Sequence, residues 1–148
     1  MKSITAAALL IASTASAAQP AMQHFPAANP DAPFSTAVRV GDVVYLSGAI
    51  GVGPDGKLPE GFEAQAKQTM ENVGKSLKTA GVGWEDVFKC TVMIENMADW
   101  PKFNTIYVPY FPKGKLPARS ALCRLAEPFA RPGPRCSSVA AGLPVMRA

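Results

Sequence analysis

Few side chains in this sequence are suited to acid, base or nucleophilic chemistry. The chain has one histidine, His24, and three cysteines, Cys90, Cys123 and Cys136. The cysteines show no C-x-x-C spacing, and a zinc site needs three or four clustered ligands, so we predict no metal site. His24 lies among prolines and alanines that cannot hold a general base in place, and we expect it to be a solvated residue.

Composition indicates one globular domain without a nucleic-acid surface. The 148 residues are 48% hydrophobic and 18% charged, which is ordinary for a folded core. Fifteen Lys and Arg against eleven Asp and Glu give a net charge of +4, but the positive residues are scattered. We therefore expect no nucleic-acid partner. No apolar run is long enough to span a bilayer, so we expect no membrane segment in the mature chain.

The N-terminal segment is typical of a secretory signal peptide. Lys2 supplies a positive charge, residues 4–12 are apolar or small, and A-S-A at residues 15–17 is a cleavage signal. A short amphipathic helix is the alternative interpretation. Cleavage after residue 17 predicts a periplasmic or secreted protein. Residues 18–33 hold four prolines and are expected to form an extended arm, followed by a single domain over residues 34–148.

Hydrophobic patterning within residues 34–148 predicts five strands and two helices. Residues 38–40 and 43–47 read as a hairpin around Gly41-Asp42, and glycines and prolines mark residues 48–61 as a loop. An amphipathic helix starting at Phe62 should end at Gly81. Asp99 is expected to cap a second helix that Pro109 bends or ends. The remaining strands are predicted at residues 87–94, 118–125 and 136–143.

The predicted order is therefore β-β-α-β-α-β-β, in which strands and helices neither alternate strictly nor segregate into halves. This order predicts an α+β fold, a mixed β-sheet with two helices packed on one face.

Three segments, set on these elements, resemble the Rid family, the reactive intermediate deaminases also called the YjgF type. They are P-F-S-T-A-V-R-V-G-D-V-V-Y-L-S-G-A-I-G at residues 33–51, F-N-T-I-Y-V-P-Y-F at 103–111 and P-A-R-S at 117–120. The resemblance implies a chorismate-mutase-like fold and a homotrimer with clefts between subunits. It also implies hydrolysis of reactive enamines and 2-imino acids, such as 2-aminoacrylate, to 2-oxo acids and ammonia, without a cofactor.

The resemblance also nominates four site residues. Arg119, in P-A-R-S, matches the arginine that binds the substrate carboxylate, and a planar guanidinium suits this role because it makes two parallel charge-assisted hydrogen bonds. Asn104 and Ser47 match cleft-facing residues, and Phe34 stands where many members have a tyrosine. The alternatives are a surface arginine, a solvated helix asparagine and a strand-end serine bonded to backbone.

The last strand departs from the family pattern. Active members usually carry a glutamate there that helps to position water and move a proton, but no carboxylate follows Glu127 in this sequence. General acid or base assistance is typically worth about 10²- to 10⁴-fold in rate. Two hypotheses therefore stand: an imine deaminase, or a non-catalytic trimer that binds small imino or oxo acids or protects against them.

The cysteines allow one structural hypothesis. If residues 118–125 and 136–143 form an antiparallel pair, Cys123 lies opposite Cys136 or Ser137, at a Cα separation of about 5.5 Å that permits a disulfide in an oxidising compartment. Three free thiols are the alternative. We expect Cys90 to be unpaired and buried as a small hydrophobic residue.

Overall fold

The computed structural model describes residues 20–123, 140–142 and 144–146, and the side chains of residues 20–122. The predicted signal peptide over residues 1–17 lies outside these ranges. Within them the chain forms seven strands and two α-helices. The strands are β1 (Met22–Pro26), β2 (Ser35–Val40), β3 (Val43–Leu46), β4 (Lys89–Ile94), β5 (Ala118–Cys123), β6 (Ala140–Gly142) and β7 (Pro144–Met146). The helices are α1 (Phe62–Thr79) and α2 (Trp100–Tyr107), and short 3₁₀ turns cover Trp84–Asp86, Met97–Asp99 and Val108–Tyr110.

The strands form two sheets, which together contain antiparallel pairs and a parallel pair. One has the order β1-β2-β3-β7 with antiparallel neighbours, and the other has the order β5-β4-β6. In the second sheet β4 pairs in parallel with β5 and antiparallel with β6. The parallel pair follows from the crossover through α2, since parallel neighbours cannot be joined by a tight turn. The predicted α+β class with two helices is confirmed.

The helices and sheets enclose one hydrophobic core. On α1, the buried residues recur every three or four positions and face this core. On β4, alternate residues face the core, and Lys89 and Met93 are exposed. The largest fully buried side chains are Phe103, Met70, Leu77, Val44, Val73 and Val92, with Thr69 and Cys90 beside them. In the described part of the chain, no helix is long and apolar enough to cross a membrane.

The segment predicted as an extended arm, residues 18–33, is in part a paired strand of the four-stranded sheet. β1 runs antiparallel to β2 from Met22↔Val40 to Phe25↔Ala37, and the register shifts only at Pro26. The prolines lie before the strand, at its last residue and after it, so the interior positions keep their N–H groups. The folded domain therefore starts before residue 34. His24 is exposed on this strand rather than part of a loose arm.

The antiparallel pairing on which the disulfide hypothesis depends is not formed between β5 and β6. β4 lies between β5 and β6, so those two strands are not neighbours. The backbone of Cys123 is registered with Ile94 of β4 instead of with a residue near Cys136. The intervening strand removes the geometric basis of the Cys123–Cys136 disulfide. The Cys136 residue and the Cys123 side chain lie outside the described structure.

Three local predictions are confirmed: the hairpin turn, the loop over residues 48–61 and the helix break at Pro109. Val40 pairs with Val43 across the hairpin turn, where Gly41 has a φ of 58°. The loop over residues 48–61 contains the expected turn before Gly56, whose N–H donates to the Gly53 carbonyl at 3.0 Å. Pro109 falls in the 3₁₀ turn that follows the last residue of α2, as predicted.

The predicted side-chain cap of the second helix is not formed. Asp99 occupies the N-cap position of α2, but its carboxylate makes no capping hydrogen bond. It pairs instead with the Lys102 ammonium at 3.2 Å. The φ and ψ of Asp99 are −84° and −2°, because the preceding 3₁₀ turn runs directly into the helix. This is not the extended conformation that lets an N-cap side chain reach the next N–H groups.

Gly81 ends α1 with a left-handed residue, as predicted. Its φ is 71°, its N–H donates to the Lys78 carbonyl, and the Val82 N–H donates to the Leu77 carbonyl, both at 3.1 Å. These two bonds form a Schellman motif, which needs a residue that tolerates positive φ.

The two glycines at 74 and 81 should respond oppositely to the same substitution. Gly81→Ala should lower the free energy of unfolding by about 1 kcal/mol because alanine is strained at positive φ. Gly74→Ala should raise it by about 0.5–1 kcal/mol, since Gly74 lies inside α1 and a Cβ there meets Trp84 at an ordinary 3.5 Å. Denaturant unfolding of both variants measures this. Equal effects at the two positions would contradict the assigned helix end.

Candidate functional site

Arg119 lies on β5 and reaches across to the aromatic side of α2. Its backbone is registered with that of Cys90 on the neighbouring strand β4. The guanidinium carbon lies 4.3 Å from the ring centroid of Trp100 and 4.7 Å from that of Tyr107. We call Cys90, Trp100, Asn104, Tyr107 and Arg119 the Arg119 cluster.

The periodicity of α2 places its members of the cluster on one face. Trp100, Asn104 and Tyr107 are separated by four and then three positions, which is the spacing of neighbours along a helix surface. Phe103, completely buried, fixes this face because its ring lies 5.7 Å from that of Trp100 and 5.4 Å from that of Tyr107. The helix thus presents one amide between two rings that contact the guanidinium.

Three polar atoms of the cluster are buried without a protein partner among the described residues. They are Oδ1 of Asn104, the hydroxyl of Tyr107 and Nη1 of Arg119. A buried polar group left unpaired costs about 1–3 kcal/mol, and folded proteins keep few of them. Three such atoms, two on one face of α2 and one on the arginine that this face contacts, mark a candidate binding site, because a ligand that pairs with them recovers this cost.

Burial keeps the Cys90 thiol and the Tyr107 hydroxyl protonated. It raises the pKa of the Cys90 thiol to about 11, against a weaker opposing effect of Tyr107 and Arg119. Burial and the adjacent Cys90 thiol raise the pKa of the Tyr107 phenol, and Arg119 opposes this shift. The thiol lies close enough to influence the phenol, yet the pair does not meet ordinary hydrogen-bond geometry.

The cluster therefore carries a single positive charge near neutral pH. The ion pair found among the described side chains joins Lys102 to Asp99 and does not involve Arg119. A guanidinium cannot lose its proton at ordinary pH, so its charge needs an anion from elsewhere. Within the same part of the chain, no group of three or more His, Cys, Asp or Glu residues could hold a metal ion.

The structure brings together two of the four nominated site residues within one chain. Arg119 and Asn104 belong to the cluster, but Ser47 and Phe34 flank strands of the four-stranded sheet. Ser47 donates its hydroxyl proton to the Ser35 carbonyl at 2.6 Å, which is the alternative interpretation of that serine. Phe34 directly precedes β2 and is 58% exposed.

Sequence reasoning missed the other members of the cluster. The sequence motifs assign Tyr107 no role of its own, and Cys90 is predicted only as a buried small hydrophobic residue. Cys90 is indeed free and buried, but its neighbours include a phenol and a guanidinium. Trp100 was overlooked, although its spacing of four and seven from Asn104 and Tyr107 was a usable signal.

A family profile matches residues 24–125, about two thirds of the chain and the whole Arg119 cluster. The family is described as Endoribonuclease L-PSP. The chain belongs to this family. Its relatives connect the family with the Rid resemblance, because several carry Rid or imine deaminase names.

Individual relatives of this L-PSP (Rid) member are similar over about three fifths of the chain or more. The 2-iminobutanoate/2-iminopropanoate deaminase of Mus musculus is 44% identical over 91 residues, 60% of this chain and 67% of that protein. The chloroplastic Reactive Intermediate Deaminase A of Arabidopsis thaliana is 38% identical over 99 residues, 66% of this chain and 52% of that protein. The matches thus span between half and two thirds of these relatives' lengths.

Solved structures of the L-PSP (Rid) family share the fold. The RidA structure from an Antarctic Psychrobacter species has a TM-score of 0.67 and 32% sequence identity, covering 84% of this chain and 94% of that one. A putative endoribonuclease from Thermotoga maritima gives a TM-score of 0.69 at 29% identity, with coverages of 84% and 93%.

The raised pKa of Cys90 predicts a pH dependence of stability in this Rid-family chain. The folded state holds the thiol proton more tightly than the unfolded state, so the stabilisation is complete below about pH 9 and is lost as the pH rises toward about 11. Over this range the wild type should lose about 1–3 kcal/mol more stability than Cys90→Ala. Denaturant unfolding at several pH values measures the difference. Parallel curves for the two proteins would contradict the buried, protonated thiol.

Proposed function

We propose that this protein hydrolyses reactive enamines and 2-imino acids to 2-oxo acids and ammonia, with the Arg119 cluster as its substrate site. The observation that carries the proposal is that, among the described residues, three buried polar atoms of the cluster have no partner and Arg119 has no anion. The deaminase names of the mouse and Arabidopsis relatives support the same substrate class.

The hydrogen-bonding groups of a 2-imino acid complement the cluster. Its carboxylate accepts hydrogen bonds, and the Arg119 guanidinium and the protonated Tyr107 hydroxyl can donate them. Its imine N–H donates, and Oδ1 of Asn104 can accept. The carboxylate and the imine nitrogen flank one carbon, so fixing both sets the orientation of that carbon toward an incoming water.

The reaction itself needs little from the protein beyond this positioning. Water adds to the imine carbon to give a carbinolamine, and the nitrogen then leaves as ammonia while the oxygen becomes the carbonyl of the 2-oxo acid. The cluster contains no carboxylate, and the sequence has none after Glu127. Protons must then move through water or the leaving nitrogen, and turnover should be slow, since general acid or base help is worth about 10²- to 10⁴-fold.

The missing carboxylate is also the one observation that favours the alternative function. A protein that binds imino or oxo acids without turning them over needs Arg119 and Asn104 but no proton-transfer group. RNA cleavage has less support despite the name of the family. The one histidine of the chain, His24, is exposed on β1, and the positive residues are scattered.

Removal of the Arg119 charge tests the proposal. Arg119→Ala should abolish both turnover of 2-iminobutyrate, generated by an amino-acid oxidase and trapped with semicarbazide, and calorimetric binding of 2-oxobutyrate. Arg119→Lys should weaken binding by about 10- to 100-fold, because lysine keeps the charge but not the two-pronged geometry.

Lys102→Ala is the matched control, since it removes a positive charge from the exposed side of α2, the helix whose rings contact Arg119. It should leave binding and turnover unchanged. Binding without turnover in the wild type supports the non-catalytic alternative. Unaltered binding of 2-oxobutyrate by the Arg119→Ala variant would show that the cluster is not the substrate site.

We further propose that the mature protein is an exported homotrimer. Its support is the signal-like N-terminal sequence and the exposed face of the three-stranded sheet, where Met93 of β4 and its registered neighbour Leu122 of β5 are 47% and 53% exposed. Adjacent exposed apolar side chains on a sheet are typical of a subunit contact.

Native mass spectrometry of the protein from its own cells tests both parts. The expected species is three chains, each beginning at Ala18, because the cleavage signal ends at residue 17. A chain that retains residues 1–17 would contradict export, and a stable monomer would contradict the trimer.

A further inference from the structure

In the part of the chain that the structure describes, Arg119 contacts aromatic rings and no carboxylate. We infer that Trp100 and Tyr107 form a clamp that fixes the guanidinium for carboxylate binding, which makes Trp100 a positioning residue of the site. The inference rests on the proposed function, because it concerns how the substrate anchor is held. Nothing in the sequence resemblance assigns a role to Trp100.

Both rings lie at the distance of favourable cation–π contacts. The guanidinium carbon is 4.3 Å from the Trp100 centroid and 4.7 Å from the Tyr107 centroid, well within the limit of about 6 Å for such contacts. Tryptophan is the strongest of the aromatic partners for a cation. Arg119 and Trp100 are both half-buried, so water screens the attraction less than at an exposed site.

The clamp is itself immobilised by the core. Tyr107 is 3% exposed and its ring lies 4.6 Å from that of Phe111, which is 7% exposed. Trp100 is stacked on the fully buried Phe103, with an angle of 25° between the ring planes. The rings therefore form a continuous row along α2 and into the turn after it, and this row cannot shift without disturbing the core.

Clamping and carboxylate binding use different parts of a guanidinium. Its flat faces stack on aromatic rings, whereas its N–H groups lie in the plane and donate to carboxylates at the edge. Nη1 has no protein partner among the described residues, so a donor remains for a ligand. A long arginine side chain that is already fixed loses less conformational entropy when the carboxylate binds. The clamp should thus act on affinity rather than on the chemical step.

The test uses the fact that the sequence has two tryptophans, Trp84 and Trp100. Trp84 packs on Tyr110 and Phe111, with centroid distances of 5.0 and 5.3 Å. Trp100→Leu should raise the Kd for 2-oxobutyrate and the KM for 2-iminobutyrate about tenfold, with kcat changed less than about threefold. Trp100→Phe should recover affinity to within about threefold of the wild type, because it restores a ring. Trp84→Phe, which changes the other tryptophan but keeps an aromatic ring beside Phe111, should leave affinity unchanged.

A second measurement avoids altering the clamp. In Trp84→Phe, Trp100 is the only tryptophan, and its fluorescence should change saturably as 2-oxobutyrate binds beside it. The additional substitution Arg119→Ala should abolish that change. This readout decides the question even if Trp100→Leu does not fold.

The outcomes separate the clamp from the proposed function. Wild-type affinity in Trp100→Leu, together with lost binding in Arg119→Ala, would overturn the clamp and leave the substrate site standing. A fluorescence signal insensitive to bound 2-oxobutyrate would also overturn the clamp. Wild-type affinity in Arg119→Ala would instead refute the proposed site, and the clamp with it.

Discussion

The cluster depends on one electrostatic constraint: Arg119 carries a permanent charge, and the described side chains supply no anion to balance it. Its immediate surroundings are the faces of Trp100 and Tyr107. The negative faces of aromatic rings offset part of the charge but cannot replace a carboxylate. A protein pays for such an arrangement in stability, so it is typically found where a ligand completes it.

The pairing of β5 with β4 brings Arg119 against α2. The crossover through α2 makes β5 the parallel neighbour of β4, and this register sets Arg119 beside Cys90. The three- and four-residue spacing of α2 then puts Trp100, Asn104 and Tyr107 on the helix face whose two rings contact the guanidinium. Phe103 anchors that face in the core. Sequence motifs that lie far apart in the chain thus meet because of one strand pairing.

Local patterns in the sequence predicted much of this fold. The hairpin turn at Gly41, the helix end at Gly81 and the break at Pro109 depend on backbone preferences of single residues. Strand order was not accessible in the same way, because pairing partners are set by packing between distant segments. For that reason the sequence does not predict β1, and the hypothesis that β5 pairs with the following strand does not hold. Arg119 and Asn104 could be nominated by motif, but the aromatic contacts of Trp100 depend on tertiary structure.

A crystal structure with 2-oxobutyrate bound tests the central claim most directly. The account predicts that the ligand carboxylate lies in the plane of the Arg119 guanidinium, within hydrogen-bond distance of its N–H groups, with Trp100 still stacked on the guanidinium. A ligand bound away from Arg119, or an Arg119 paired with a protein carboxylate in that crystal, would contradict the account.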